Sequence, residues 1–158
     1  MVDSLILAYL AGIIDGEGCI AIYGYHGNWI MSHGKRHRGF RLDVKVGMGE
    51  PEAVQLLMKT FGGSIYVRKI TPNGNKPSYS WTVSAKLAIA CLRQLIPFLR
   101  VKKAQAEIAL EFWDVREAMG HKYGWNPYSE SEFAKLVDYG EKLKQEKRVV
   151  VPLRAATN

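Results

Sequence analysis

Cysteine is scarce in this sequence. Cys19 and Cys91 are the only two, and they form no Cys-x-x-Cys pair. That leaves neither a disulfide framework nor a thiolate metal site. Both lie among apolar residues, so both are expected as buried, reduced thiols. Long apolar runs are missing too, which excludes a membrane-spanning helix, and no basic segment precedes the first apolar helix as a signal peptide would require. A soluble, intracellular protein is expected. Low-complexity stretches are absent. Acids are the minority among charged residues, 15 Asp and Glu against 22 Lys and Arg, and the formal charge of +7 suits a polyanionic partner. At 158 residues and 47% hydrophobic, the chain has enough material for one domain with a real core, and two compact domains would be cramped.

The richest stretch is Leu10-Ala11-Gly12-Ile13-Ile14-Asp15-Gly16-Glu17-Gly18. Leu5, Ile6, Tyr9, Leu10, Ile13 and Ile14 recur at helical spacing, predicting an amphipathic helix from about Asp3 to Ile14, capped by Asp3 or Ser4 and stopped by Gly16 and Gly18. Ala8, Ala11 and Gly12 leave one side of it bare, so a second helix can approach closely. Asp15 and Glu17 then fall at the negative end of the helix dipole, where carboxylates are disfavoured unless a cation offsets them. A hard divalent ion such as Mg²⁺, held by a carboxylate, a backbone carbonyl and water, would do so. His33 and His37 have zinc-like spacing, but they sit in a glycine-flanked basic loop with no third ligand.

Beyond the motif, Cys19 to Tyr23 alternates as a half-buried strand, and Phe40, Leu42, Val44 and Val46 alternate with Arg41, Asp43 and Lys45 as its antiparallel partner. Between them, Gly24 to Gly39 reads as a long mobile hairpin tip. A helix is predicted over Glu50 to Phe61 and closed by Gly62 and Gly63. Strands follow at Ile65 to Arg68, with Ile65 and Val67 facing the helices, and at Tyr79 to Ser84, separated by the turn residues Thr71 to Asn75. Helices are predicted over Leu87 to Leu95 and Lys102 to Met119, with Pro97 between them. Gly120 to Tyr128 connects to a last helix started by a capping box at Ser129 to Glu132 and running to about residue 148, ahead of a frayed tail at 149–158.

LAGIIDGEG closely resembles the signature of the LAGLIDADG homing endonucleases, and Pro97-Phe98-Leu99-Arg100-Val101-Lys102 with Gln105 resembles that family's later P-[FY]-L-x-x-K-x-x-Q stretch. The resemblance covers roughly residues 4 to 115. It implies an α+β fold, αββαββα, with four strands in a curved antiparallel DNA-binding sheet. The motif occurs once, which in that family implies a homodimer joined through Ala8, Ala11 and Gly12, acting on a near-palindromic double-stranded DNA site. Glu17 matches the family's catalytic, metal-binding acid, Gly16 the residue lending a carbonyl to Mg²⁺, and Lys102 the basic active-site residue. Asp15 is assigned to local structure.

DNA contacts are expected from the polar strand faces, at Tyr23, Tyr25, Arg41, Asp43, Lys45, Tyr66, Arg68, Ser80 and Thr82, with Lys35, Arg36 and Arg38 on phosphates. Met48 falls where the family often carries a polar residue, a departure that keeps two alternatives open: an intron RNA maturase and a catalytically silent DNA-binding regulator. Synthesis inside a mitochondrion or another organelle would fit an intron-encoded protein as well.

Overall fold

Asp3 starts the first helix, its Oδ1 accepting a hydrogen bond from the Leu5 amide at 2.9 Å. In the computed structural model, which describes residues 3–30, 36–68, 76–120 and 128–148, the order is α1 (Ser4–Glu17), β1 (Gly18–Ile30), β2 (Arg36–Met48), α2 (Pro51–Phe61), β3 (Ser64–Arg68), β4 (Ser78–Ser84), α3 (Ala85–Leu95), α4 (Lys103–Ala118) and α5 (Glu130–Glu146). The four strands form one antiparallel sheet in the order β1-β2-β4-β3. This is the expected α+β architecture, αββαββα, followed by two further helices.

One face of the sheet is apolar because strand side chains alternate. Ile20 and Ile22 from β1, Leu42, Val44 and Val46 from β2, and Trp81 and Val83 from β4 are buried there. The helices meet that face with their own stripes: Leu10, Ala11 and Ile14 from α1, Val54, Leu57 and Phe61 from α2, Ile89, Leu92 and Leu95 from α3, and Ala109, Phe112 and Trp113 from α4. Cys91 is buried among them, and burial pushes its thiol up to about 12. Between α2 and β3 the chain turns tightly enough that Gly63 has φ +96°, and a Cβ there would collide with the Thr82 carbonyl. The same turn exposes the Gly62 carbonyl to the buried Trp81 indole, which donates to it at 2.8 Å.

Helix α5 starts with a capping box in which the Glu132 amide donates to Ser129 Oγ at 3.2 Å and the Ser129 amide to Glu132 Oε2 at 2.8 Å. It packs along β1, close enough that a Cβ on Gly140 would lie 3.9 Å from the Ile22 carbonyl. Phe133 of α5 sits 5.0 Å, ring to ring, from Phe40 of β2, so this helix supports the hairpin from its helix side.

Four expectations are corrected. Helix α1 does not stop at Ile14; it continues through Glu17, and the chain leaves it at Gly18, whose amide donates to the Ile14 carbonyl. Gly18 is required there because a Cβ would lie 2.8 Å from Ile14 Cα. On the described residues of the segment expected as a tip, the strands continue to Ile30 and from Arg36, with Gly24 opposite Phe40, Tyr25 opposite Gly39 and His26 opposite Arg38, and a bulge before Ile30 pairs with Arg36. Backbone pairing therefore carries the strands past the point where side-chain alternation fails. Residues 31–35 and the turn residues 71–75 lie outside the described part of the chain, as does the tail from 149.

Cys19 is exposed, because it shares the parity of Tyr23 and not that of Ile20 and Ile22. Val67 has the expected facing but is 45% exposed, since β3 is an edge strand. Val44→Ala should accordingly lower stability by roughly 1.5 to 3 kcal/mol and Val67→Ala by no more than about 0.5 kcal/mol, both read by chemical denaturation.

Candidate active site and nucleic-acid interface

The second face of the sheet carries the polar residues, and strand pairing sets them in rows. Cys19 pairs with Lys45, which pairs with Thr82, which pairs with Ser64. The next row outward on one side is Gly47, Ser80 and Tyr66, and on the other Ala21, Asp43 and Ser84. Tyr23 stands opposite Arg41, and Arg68 opposite Ser78. Tyr23, Arg41, Tyr66 and Arg68 are exposed; Lys45, Ser80 and Thr82 are half-buried. Tyr25, Arg36 and Arg38 have backbone positions in the hairpin ladder, but their side chains lie outside the described part, and Lys35 is outside it altogether.

Asp43 differs from its expected role. Its side chain is 1% exposed, accepting from Arg41 Nε at 2.7 Å and from Ser84 Oγ at 2.7 Å, with Lys45 Nζ 3.3 Å away. Burial pushes its carboxyl up, but the bonds from Arg41, Ser84 and Lys45 outweigh that and hold it below the ordinary aspartate range. Thus Asp43 does not project toward a ligand over the sheet. Lys45 also lies over the Tyr23 ring, 5.1 Å from its centroid.

At the foot of this face, α1 delivers its two acids into β1. The Asp15 carboxylate faces the segment between α3 and α4, where its Oδ2 accepts from the Arg100 amide at 2.7 Å and its Oδ1 from the Lys102 amide at 2.8 Å. The Lys102 ammonium donates to the Asp15 carbonyl. Partial burial raises the Asp15 carboxyl, and the amides of Arg100, Lys102 and Val101 with the Lys102 charge bring it below its ordinary range. These contacts answer the dipole problem for Asp15 and leave its oxygens engaged.

Glu17 is exposed and makes no hydrogen bond or ion pair among the described residues. The Gly16 carbonyl next to it has no helical partner, since the amide four residues on belongs to Ile20 in β1. Lys102 keeps two of its three ammonium donors beyond the one given to Asp15. A basic neighbour that sequence order conceals is Lys147, just past α5, whose Nζ lies 3.5 Å from Cys19 Sγ. Its approach depends on α5 running back along β1, which no local pattern announces.

Met48 faces the helix side at the end of β2, packed against the core, while Gly47 holds the corresponding polar-face position. Neither places a polar side chain beside the acids. Of the three small residues on α1, Ala8 and Gly12 are exposed, but Ala11 is fully buried in the chain's own core, so it drops out of any intermolecular contact. The open face is instead Leu5, Ala8, Tyr9 and Gly12, with Leu5 77% and Tyr9 53% exposed.

No protein-family model and no curated protein sequence matches the chain. Solved structures do. The homing endonuclease I-CvuI, in complex with its target, superposes with a TM-score of 0.68 at 18% identity, covering 98% of this chain and 87% of that one. The fold is that of the LAGLIDADG homing endonucleases. The archaeal intron-encoded homing endonuclease I-Vdi141I, complexed with DNA, gives 0.68 at 17% identity over 95% of this chain and 89% of that one. The LAGLIDADG homing endonuclease I-LtrWI, bound to target DNA, gives 0.62 at 20% identity over 90% of this chain but 45% of that one. In this homing-endonuclease fold, α1 is the element that joins the core to the acids.

Asp15→Asn should lower stability by about 1 to 2 kcal/mol at neutral pH, the scale of hydrogen bonds to a charged group. Because the folded-state carboxyl is depressed, this contribution is present above the unfolded aspartate range and lost as pH falls through the lower folded value. Denaturation of wild type and variant across that acid range should show their difference closing.

Proposed function

We propose that the chain is a homodimeric, Mg²⁺-dependent, site-specific endonuclease for double-stranded DNA, of the intron-encoded homing kind. The observation that carries this reading is the exposed, unengaged Glu17 carboxylate at the end of α1, at the foot of a sheet face where Tyr23, Arg41, Lys45, Tyr66 and Arg68 stand in register. A protein ribbon fits the major groove, and the formal charge of +7 favours the phosphates beside it. The fold neighbours I-CvuI, I-Vdi141I and I-LtrWI are DNA complexes, which supports the same class of substrate here.

The donor chemistry fits a hard divalent ion, with the Glu17 carboxylate and the Gly16 carbonyl at the negative end of the helix dipole. One chain supplies only part of a cage, for no group of three candidate ligands occurs among the described residues. A second copy would bring a second Glu17, and DNA phosphates the remaining oxygens. When bound, Mg²⁺ supplies Lewis-acid charge at the scissile phosphate and lowers the pKa of water. Glu17 and the Gly16 carbonyl would hold that ion, Lys102 would offer ammonium protons to the charge developing on phosphate as water adds and the P–O bond breaks, and the Asp15 carbonyl, accepting from Lys102, holds that ammonium in place.

Two copies are also favoured by the exposed stripe of Leu5, Ala8, Tyr9 and Gly12, where a Cβ on Gly12 would meet nothing in the same chain. The I-LtrWI chain, of which this fold covers 45%, has room for two such units, whereas the I-CvuI chain has room for one.

Purified protein incubated with a randomised duplex library and Mg²⁺ should cut a small set of near-palindromic sites. Glu17→Gln should abolish cutting while leaving duplex binding within a few-fold; near wild-type cutting by that variant overturns the metal assignment. Gly47 and Met48 favour, as second readings, a silent DNA-binding regulator or an intron RNA maturase. Binding to duplex without cleavage at any divalent ion supports the first, and preferential binding of intron RNA the second. Gly12→Leu should give monomer or aggregate by light scattering, since overpacking a close helix crossing costs about 1 to 3 kcal/mol; an intact dimer would move the interface off α1.

A further inference from the structure

We propose that Asp43 is a positioning residue that holds Arg41 ready to read guanine, so that the recognised DNA carries a G·C pair at two symmetry-related positions. The inference rests on the DNA-binding reading above and assigns roles within it. Asp43 is a buried acid on the polar face of the sheet, a costly placement unless donors surround it. Three do: Arg41 Nε and Ser84 Oγ each at 2.7 Å, and Lys45 Nζ at 3.3 Å. Oδ1 takes both hydrogen bonds and Oδ2 has only the Lys45 ammonium near it, so it is burial, with almost no surface left, that keeps a cytosine amino group from Asp43.

The geometry assigns the reading to Arg41 instead. A guanidinium has five N–H donors in a planar fork. Using Nε for Asp43 sets the plane of the group and leaves the end-on edge, Nη1 and Nη2, on a side chain that is 55% exposed. Guanine offers a matching pair of acceptors, O6 and N7, in the major groove. Arginine otherwise loses much rotamer freedom on binding, and a side chain already held by a buried carboxylate has less to lose.

Lys45 is drawn toward the same acid and lies over Tyr23, and its ammonium lacks a planar fork, so Arg41 is the donor whose shape matches the two guanine acceptors. Tyr23 stands directly across the ladder from Arg41 and flanks it. In a homodimer the cluster occurs once per chain, and the two-fold places its base pairs symmetrically.

The test is binding, without divalent ion, of wild type, Arg41→Lys and Asp43→Asn to a randomised duplex library, with the bound DNA sequenced and thermal stability measured for each protein. Wild type should require guanine at one pair of symmetry-related positions. Arg41→Lys, which keeps the charge but loses the fork, should reduce that preference about 5- to 150-fold and leave other positions unchanged. Asp43→Asn removes a negative charge beside two cations, so it should bind random duplex as tightly as wild type or more tightly while weakening guanine preference at the same positions. A merely structural Asp43 would lower affinity and preference everywhere. A guanine preference that survives either substitution, or preferences that fall evenly across the site, overturn the inference while leaving DNA binding intact. No duplex binding by wild type overturns the functional reading itself. Should Asp43→Asn fail to fold, Arg41→Lys still tests the inference, which is overturned if the position-specific guanine requirement survives loss of the fork.

Discussion

The carboxylate of Asp15 ties the end of α1 to the start of α4 across 85 residues of sequence. A helix C-terminus repels an acid, so Asp15 is tolerable only where amides and a cation converge on it. The Arg100 and Lys102 amides and the Lys102 ammonium do so. That convergence fixes the angle at which α1 meets the α3–α4 connection, and with it the place where the chain can leave the helix. Gly18 then turns the backbone into β1, so the tie on Asp15 decides where Glu17 stands. One acid is consumed in making the structure and its neighbour two residues on is left available. The pair divides labour by environment, although both are carboxylates on the same helix end.

A comparable division governs the sheet. Its apolar face is continuous across β1, β2 and β4 and is covered by α1, α2, α3 and α4. Its other face is built on short cross-strand rows, and within it Asp43 gathers Arg41, Lys45 and Ser84 around a buried charge. The protein thus places a charged cluster where solvated side chains would suffice for solubility. Burial of the acid limits how its cations move, and a side chain held in advance has less freedom to lose on binding.

The hairpin of β1 and β2 extends beyond the four-stranded part of the sheet, so it needs support of its own. Phe40 provides the anchor, with Phe112 of α4 at 5.9 Å and Phe133 of α5 at 5.0 Å between ring centroids. Helix α5 packs against β1, the edge strand, with Gly140 beside the Ile22 carbonyl. Its C-terminal end returns to the foot of the sheet, bringing Lys147 near Cys19. The helix that braces the hairpin therefore also brings a cation to the start of β1, two residues along the chain from Glu17.

From sequence alone, the elements with strong periodicity were readable: α2, α3, the alternating parts of β1, β2 and β4, and the capping box of α5, because local spacing and end chemistry decide them. The motif from Leu10 to Gly18 and the stretch from Pro97 to Gln105 pointed to the fold and to the contrast between Asp15 and Glu17. What periodicity could not show was which residues of a face are covered by others. Asp43 has the parity of Arg41 and Lys45 yet is buried, with those two and Ser84, 41 residues along the chain, gathered on its carboxylate. Ala11 reads as a bare surface until the core closes on it, and Val67 reads as core until β3 proves to be an edge. The sequence by itself determined the order of the elements and the placing of two acids at the end of α1, through short-range spacing. Only tertiary structure decided which charges are engaged and which stand free, because pairing and burial are set by segments that meet from distant parts of the chain.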